Sequence, residues 1–137
     1  MLLAIAIGGA LGAPARYGIA QLLPVTPGSF PWATFWTNVS GAFVLGVFLT
    51  IVIERYPPTR FVRPFFGVGF LGAYTTFSTL AVETARLVQD GEVALAVAYT
   101  VASIAVGLVV AYLGIALARE LPGRRRRIPT IDEELEG

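Results

Sequence analysis

The chain has 137 residues, of which 55% are hydrophobic and only 14% charged, with a formal net charge of +1. That is the length of one domain, with too little polar surface to cover a soluble core of this size. It contains no cysteine, histidine or lysine, which excludes disulfides, thiolate sites, Schiff-base chemistry and the commonest general base and metal ligand.

Four apolar stretches are each long enough to cross a bilayer, which takes about 20 residues. The first covers residues 1–23. Gly8 and Gly12 have the small-xxx-small spacing that lets another helix come close. Arg16 lies inside this stretch, behind Pro14, which is able to kink a helix or free a carbonyl. A charge there faces protein or water, or else snorkels to the headgroups; both readings are open. There is no basic region ahead of the apolar run and no A-x-A-like site at its end. It reads as a retained span rather than a signal peptide.

An uncharged loop, PVTPGSFP, leads to the second stretch, residues 32–53. Trp32 and Trp36 read as interfacial anchors. Thr34 and Asn38 are four apart, hence on one helical face. The Asn38 amide is costly to bury, and it either serves a site or joins helices.

After the connector ERYPPTRFVRP comes the third stretch, residues 65–82. Its centre, GFLGAYTTFST, is poor helix material. Gly72 leaves the backbone free to depart from helical geometry. The hydroxyls of Thr75, Thr76, Ser78 and Thr79 compete for backbone partners. Two readings are open: a packed helix with locally bonded hydroxyls, or a broken helix. In hydrocarbon, irregular backbone survives only against protein or a water-filled cavity. A break therefore points to a mid-membrane ion or substrate site.

Glu83, Arg86, Asp90 and Glu92 mark the next connector, and the fourth stretch is residues 93–118. Tyr99 and Ser103 share one of its faces, with Gly107 one step on; that face is either a polar path or ordinary packing. The chain thus divides into a four-span unit, 1–119, and a polar tail, 120–137, expected to be disordered. The tail's four arginines are assigned to orientation at anionic lipid rather than to nucleic acid. Arg55, Arg60, Arg63, Arg119 and Arg124 to Arg127 fall on one side of the membrane and Arg86 on the other. Both termini are then expected in the cytoplasm.

Three segments, GGALGAPARY (8–17), TFWTNVSGAFVLG (34–46) and GFLGAYTTFST (69–79), occur in order across the spans. With them the chain resembles the small fluoride channels of the Fluc family, also called CrcB, which prevent fluoride toxicity in microbes. The resemblance covers nearly everything except the tail. It implies an all-α integral membrane protein of the plasma membrane, with four transmembrane helices and a broken third one. It implies an antiparallel, dual-topology dimer with two narrow fluoride pathways along its interface. The backbone carbonyls of Gly72 and Thr75, with the partner's pair, would hold a central sodium ion that is structural and not transported. Phe77 would line the path with its ring edge, and Asn38 would donate to the anion. Thr34, Tyr99 and Ser103 would extend a polar track, with Thr76, Ser78 and Thr79 as further hydroxyls. Arg16 and Glu83 also match family positions, in less defined supporting roles. Two departures stand out. The family's second Phe, three residues after the first, is Leu80 here, and Gly107 stands where a hydroxyl is common.

Elementary physics agrees with these assignments. Fluoride holds water tightly, so a selective path must replace its shell with close donors: an amide, hydroxyls and the positive edge of a ring. No fixed cation is obvious beside them, and conduction needs binding weak enough to release. Four helices are too few to enclose opened carbonyls, so a second subunit is expected to cover them. The strong arginine bias sits uneasily with one chain inserting both ways. The partner is therefore either identical or a paralogue of opposite orientation. Two rivals from other classes are a small proton-coupled multidrug exporter and a non-conducting assembly protein. The first needs an intramembrane carboxylate, and the apolar stretches contain none, with Glu83 the nearest. An enzyme lacks the residues it would need.

Overall fold

The computed structural model describes residues 1–56 and 60–121. Residues 122–137 of the expected tail, and Pro57 to Thr59 of the second connector, lie outside the described residues; Glu120, expected in the tail, ends a helix instead. The regular elements among the described residues are all helical: α1 (Leu2–Leu22), α2 (Trp32–Arg55), a π-helical segment (Arg63–Leu71) continuing into α3 (Gly72–Tyr74), α4 (Phe77–Gln89) and α5 (Val93–Glu120). Four spans, Leu2–Leu22, Trp32–Arg55, Arg63–Gln89 and Val93–Glu120, are long and apolar enough to cross a membrane.

Three of the four spans run past the ends expected from charge, while the first, Leu2–Leu22, stays within its expected range. The third is the largest correction. Helix α4 continues to Gln89, so Glu83 and Arg86 are helical and do not begin a connector. The fourth reaches Glu120 and the second Arg55. Helix α1 is unbroken through Pro14. The irregular backbone lies within GFLGAYTTFST, past Gly72. Gly72 is helical, at φ −64° and ψ −32°. Helical geometry stops at Tyr74; Thr75 (ψ 157°) and Thr76 (φ −150°, ψ 121°) are extended.

Packing joins α1 to the π-helical segment, α2 to α5, and α4 to α5. The first contact is backbone to backbone. A Cβ on Gly8 would collide with the carbonyl of Phe65, and one on Gly12 with the carbonyl of Phe70. Gly8 and Gly12 are one α-helical turn apart. Phe65 and Phe70 are five apart, which is the repeat of i→i+5 hydrogen bonding. The π-helical winding thus aligns two carbonyls with two glycines of an ordinary helix.

The small buried core lies between α2, α4 and α5: Phe35, Val39, Leu80, Leu87, Ala96 and Tyr99. The Phe30 ring meets Tyr99 edge to face, centroids 5.2 Å apart. At the arginine-rich end, Arg55 donates to the carbonyls of Ala118 and Leu121, and Arg119 pairs with Glu54 at 3.0 Å. The two Arg55 bonds satisfy carbonyls that the end of α5 leaves open. Outside the core, Leu3, Ile7 and Leu11 of α1 and Val97, Val101 and Leu108 of α5 are exposed. Contiguous apolar surface of this kind marks a membrane or subunit contact.

Candidate functional site

The site is built where α2 crosses the extended pair Thr75–Thr76. The Asn38 side chain pairs with the Thr76 backbone in both directions. Its amide nitrogen donates to the Thr76 carbonyl at 2.9 Å, and its oxygen accepts from the Thr76 N–H at 2.8 Å. One amide proton of Asn38 remains for another acceptor. Thr76 then starts α4 as its N-cap, its hydroxyl accepting from the Thr79 N–H at 3.1 Å. The same hydroxyl donates to Thr79 Oγ1 at 3.0 Å and lies 3.2 Å from Ser78 Oγ.

These bonds have a consequence for two carbonyls. In a continuous helix the Thr76 N–H would bond the Gly72 carbonyl, and the Thr79 N–H the Thr75 carbonyl. Both amides are diverted, one to Asn38 and one to the Thr76 hydroxyl. The Gly72 and Thr75 carbonyls thereby lose their helical donors. They are neutral, hard oxygen donors, and unwound carbonyls of this kind suit an alkali cation. The Thr75 side chain is already committed elsewhere. Its hydroxyl donates to the Leu71 carbonyl at 2.9 Å, and its methyl fills the space that a Cβ on Gly41 would need.

Two clefts touch the Asn38–Thr76 pair, one through Asn38 and the other through Thr76. One, of about 300 Å³, is lined by Asn38, Gly41, Leu71, Gly72 and Thr75 among others. The other, of about 230 Å³, is lined by Arg16, Thr34, Thr37, Thr76, Thr79 and Glu83 among others. Thus Arg16, Thr34, Thr76, Thr79 and Glu83 share one wall system, while Asn38, Gly72 and Thr75 share the other.

Glu83 is the hub of a three-helix contact. Thr34 of α2 donates to one carboxylate oxygen at 3.0 Å, and Tyr99 of α5 to the other at 2.7 Å. Charge-assisted bonds of this kind are stronger than neutral ones. Tyr99 is fully buried, and Ser103, one turn on, is buried with its hydroxyl unpartnered among the described residues. Phe77 sits apart from both clefts with its ring 78% exposed, and Ser78 beside it is exposed too. Leu80 does not share that surface. It is buried in the core against α2 and α5, so its lack of a ring edge bears on packing rather than on the face Phe77 presents.

Thr37, Ser40 and Tyr74 escaped the reading from sequence. Thr37 is buried and lines the second cleft. Gly41 receives Thr75, and the Tyr74 hydroxyl lies 2.9 Å from Ser40. The spacing of Thr34 and Thr37, one turn apart on α2, was a signal for the first.

A family model described as "CrcB-like protein, Camphor Resistance (CrcB)" matches residues 3–115. The chain belongs to the CrcB family. With four apolar spans, it is a multi-pass membrane protein of that family. Among its relatives, "Fluoride-specific ion channel FluC 3" of Streptomyces avermitilis is 48% identical over 93% of this chain and 63% of its own length. "Fluoride-specific ion channel FluC 2" of Nocardia farcinica is 44% identical over 93% of this chain and 91% of its own. "Fluoride-specific ion channel FluC" of Thermus thermophilus is 42% identical over 88% and 97%. The chain therefore spans less than two thirds of the Streptomyces avermitilis protein and nearly all of the other two CrcB relatives.

Proposed function

We propose that the chain is a subunit of a fluoride-selective ion channel of the plasma membrane, which lets fluoride leave the cytoplasm and so limits its toxicity. The named relatives are ion channels, and the chain is no enzyme. One observation carries the reading from this chain's own atoms: the diversion of the Thr76 and Thr79 amides, which opens two carbonyls beside a cleft. Opened carbonyls in a membrane need a cover. A second subunit in opposite orientation, identical or paralogous, would bring its own Gly72 and Thr75 carbonyls to the same place. The four carbonyls would hold a structural sodium ion. When bound, that ion offsets the unfavourable field that the membrane interior imposes on a passing anion.

The chain's residues then divide the work. Arg16 sits in the wall of the second cleft and favours anions at its mouth. Thr34, Thr76 and Thr79 line the same cleft and offer hydroxyls in place of water. Asn38 lines the first cleft and offers its remaining amide proton. Phe77 presents the positive edge of its exposed ring, and Ser78 its hydroxyl. Tyr99 is held through Glu83, and Ser103 supplies a buried hydroxyl in need of an acceptor. Apart from Arg16 these donors are neutral, so the anion is bound weakly enough to pass.

A second reading takes support from the position of Glu83 inside a spanning helix: a proton-coupled exporter would need such a carboxylate. Both oxygens of Glu83 are already occupied by donors from this chain, which favours a structural part for it. Efflux from liposomes loaded with fluoride and chloride separates the readings. The channel releases fluoride, retains chloride and needs no proton gradient. Equal release of both anions would overturn the proposal.

A further inference from the structure

The end of α3 is held by more than Asn38. Phe66, Phe70 and Tyr74 stack in a row, with centroids 5.3 Å and 6.1 Å apart and planes within 13° and 7°. Phe48 of α2 closes the far end, 4.6 Å from Phe66. At the near end the Tyr74 hydroxyl lies 2.9 Å from Ser40 Oγ. Ser40 has one hydroxyl proton and donates it to the Thr37 carbonyl at 3.2 Å. Tyr74 is therefore the donor in the pair, and Ser40 the acceptor.

The contacts form a register. Over one turn of α2, Asn38 takes Thr76, Ser40 takes Tyr74, and Gly41 receives Thr75. Each residue from Tyr74 to Thr76 has its own seat. The ring stack alone fixes where the Tyr74 ring lies. It does not stop the last helical turn from rotating about its axis. A directional bond from the hydroxyl to Ser40 does. The Gly72 carbonyl, two residues before, turns with that axis, and the direction in which the chain leaves the turn sets the Thr75 carbonyl, one residue after.

We propose that Tyr74 and Ser40 are positioning residues that set the direction of the Gly72 and Thr75 carbonyls. The inference rests on the cation reading given under Proposed function. Neither side chain touches the cation or the anion; both act through the backbone.

The test is the thermal stability of the purified protein, titrated with sodium chloride against a bulky organic cation at constant ionic strength. It compares the unaltered chain, Tyr74→Phe, Ser40→Ala and the double variant. Tyr74→Phe keeps the stack and removes only the hydroxyl. The sodium concentration giving half the stabilisation should rise about five-fold in each single variant, the worth of one hydrogen bond. The double variant should be no worse than either single one, because both remove the same bond. Melting in the organic cation alone falls by the ordinary worth of the bond in either case, so the shift of the sodium half-point is the readout that a merely structural bond would not produce. An unchanged half-point, or effects that add, would overturn the positioning role. A chain whose stability ignores sodium altogether would overturn the cation reading, and the positioning role with it. If Tyr74→Phe does not assemble, Ser40→Ala decides alone, since alanine suits α2 and leaves the stack intact.

Discussion

Asn38 and Thr76 exchange two hydrogen bonds, 2.9 Å and 2.8 Å long, between a side-chain amide and a backbone 38 residues away. An amide side chain here does what a neighbouring strand would do, satisfying a peptide group that has left its helix. Few other side chains can donate and accept at that spacing.

Asn38→Asp should therefore fail twice. The carboxylate cannot donate to the Thr76 carbonyl, and it puts a like charge in the anion's way. We expect fluoride flux at least ten-fold lower in liposomes, with a melting temperature several degrees lower, as befits an unpaired buried carbonyl costing about 1–3 kcal/mol. Normal flux would remove Asn38 from the pathway.

Phe77→Ile should separate function from folding. The ring is 78% exposed, so the variant should melt within about 1 °C of the unaltered chain, as surface changes do. Fluoride flux should nevertheless drop sharply, because an aliphatic side chain has no positive edge. An electrode trace of efflux beside a melting curve checks both halves.

Gly41→Ala should do the reverse and damage assembly. The added methyl would meet the Thr75 side chain directly and lie 3.3 Å from the Tyr74 ring. Overpacking of this kind costs about 1–3 kcal/mol. Thermal unfolding in detergent should register it, and a stability equal to the unaltered chain would mean that α2 and the extended pair are less closely fitted than described.

Tyr99→Phe tests the Glu83 hub. It deletes a 2.7 Å bond to a carboxylate without changing the ring that Phe30 packs against. A hydrogen bond to a charged group contributes about 1.5–3 kcal/mol. We expect a lower melting temperature, with less effect from Thr34→Val, whose bond is longer at 3.0 Å. Equal effects would show that the two oxygens are not distinguished.

Much of this was legible in the sequence, and what was not has a common cause. Span positions follow from runs of apolar residues, which are local. Asn38 and the hydroxyls after Gly72 stand out because polar groups in an apolar run demand an account. Glu83 misled because a carboxylate normally ends a span. Its donors, Thr34 and Tyr99, come from other helices, 49 and 16 residues away, and no local pattern announces them. The stretch after Gly72 stood out, but the confinement of the extended backbone to Thr75–Thr76 did not, for a similar reason. Gly72 allows departure from a helix, but the Asn38 side chain on α2 decides where the departure is stabilised. The π-helical winding was equally hidden, since it answers to the glycines of α1.

The most direct measurement is an experimental structure of the protein in sodium fluoride, at a resolution that shows ions. The account predicts two oppositely oriented chains with density between them, held by the Gly72 and Thr75 carbonyls of each. A helix continuous through Thr75 and Thr76, or carbonyls there turned toward lipid, would contradict it.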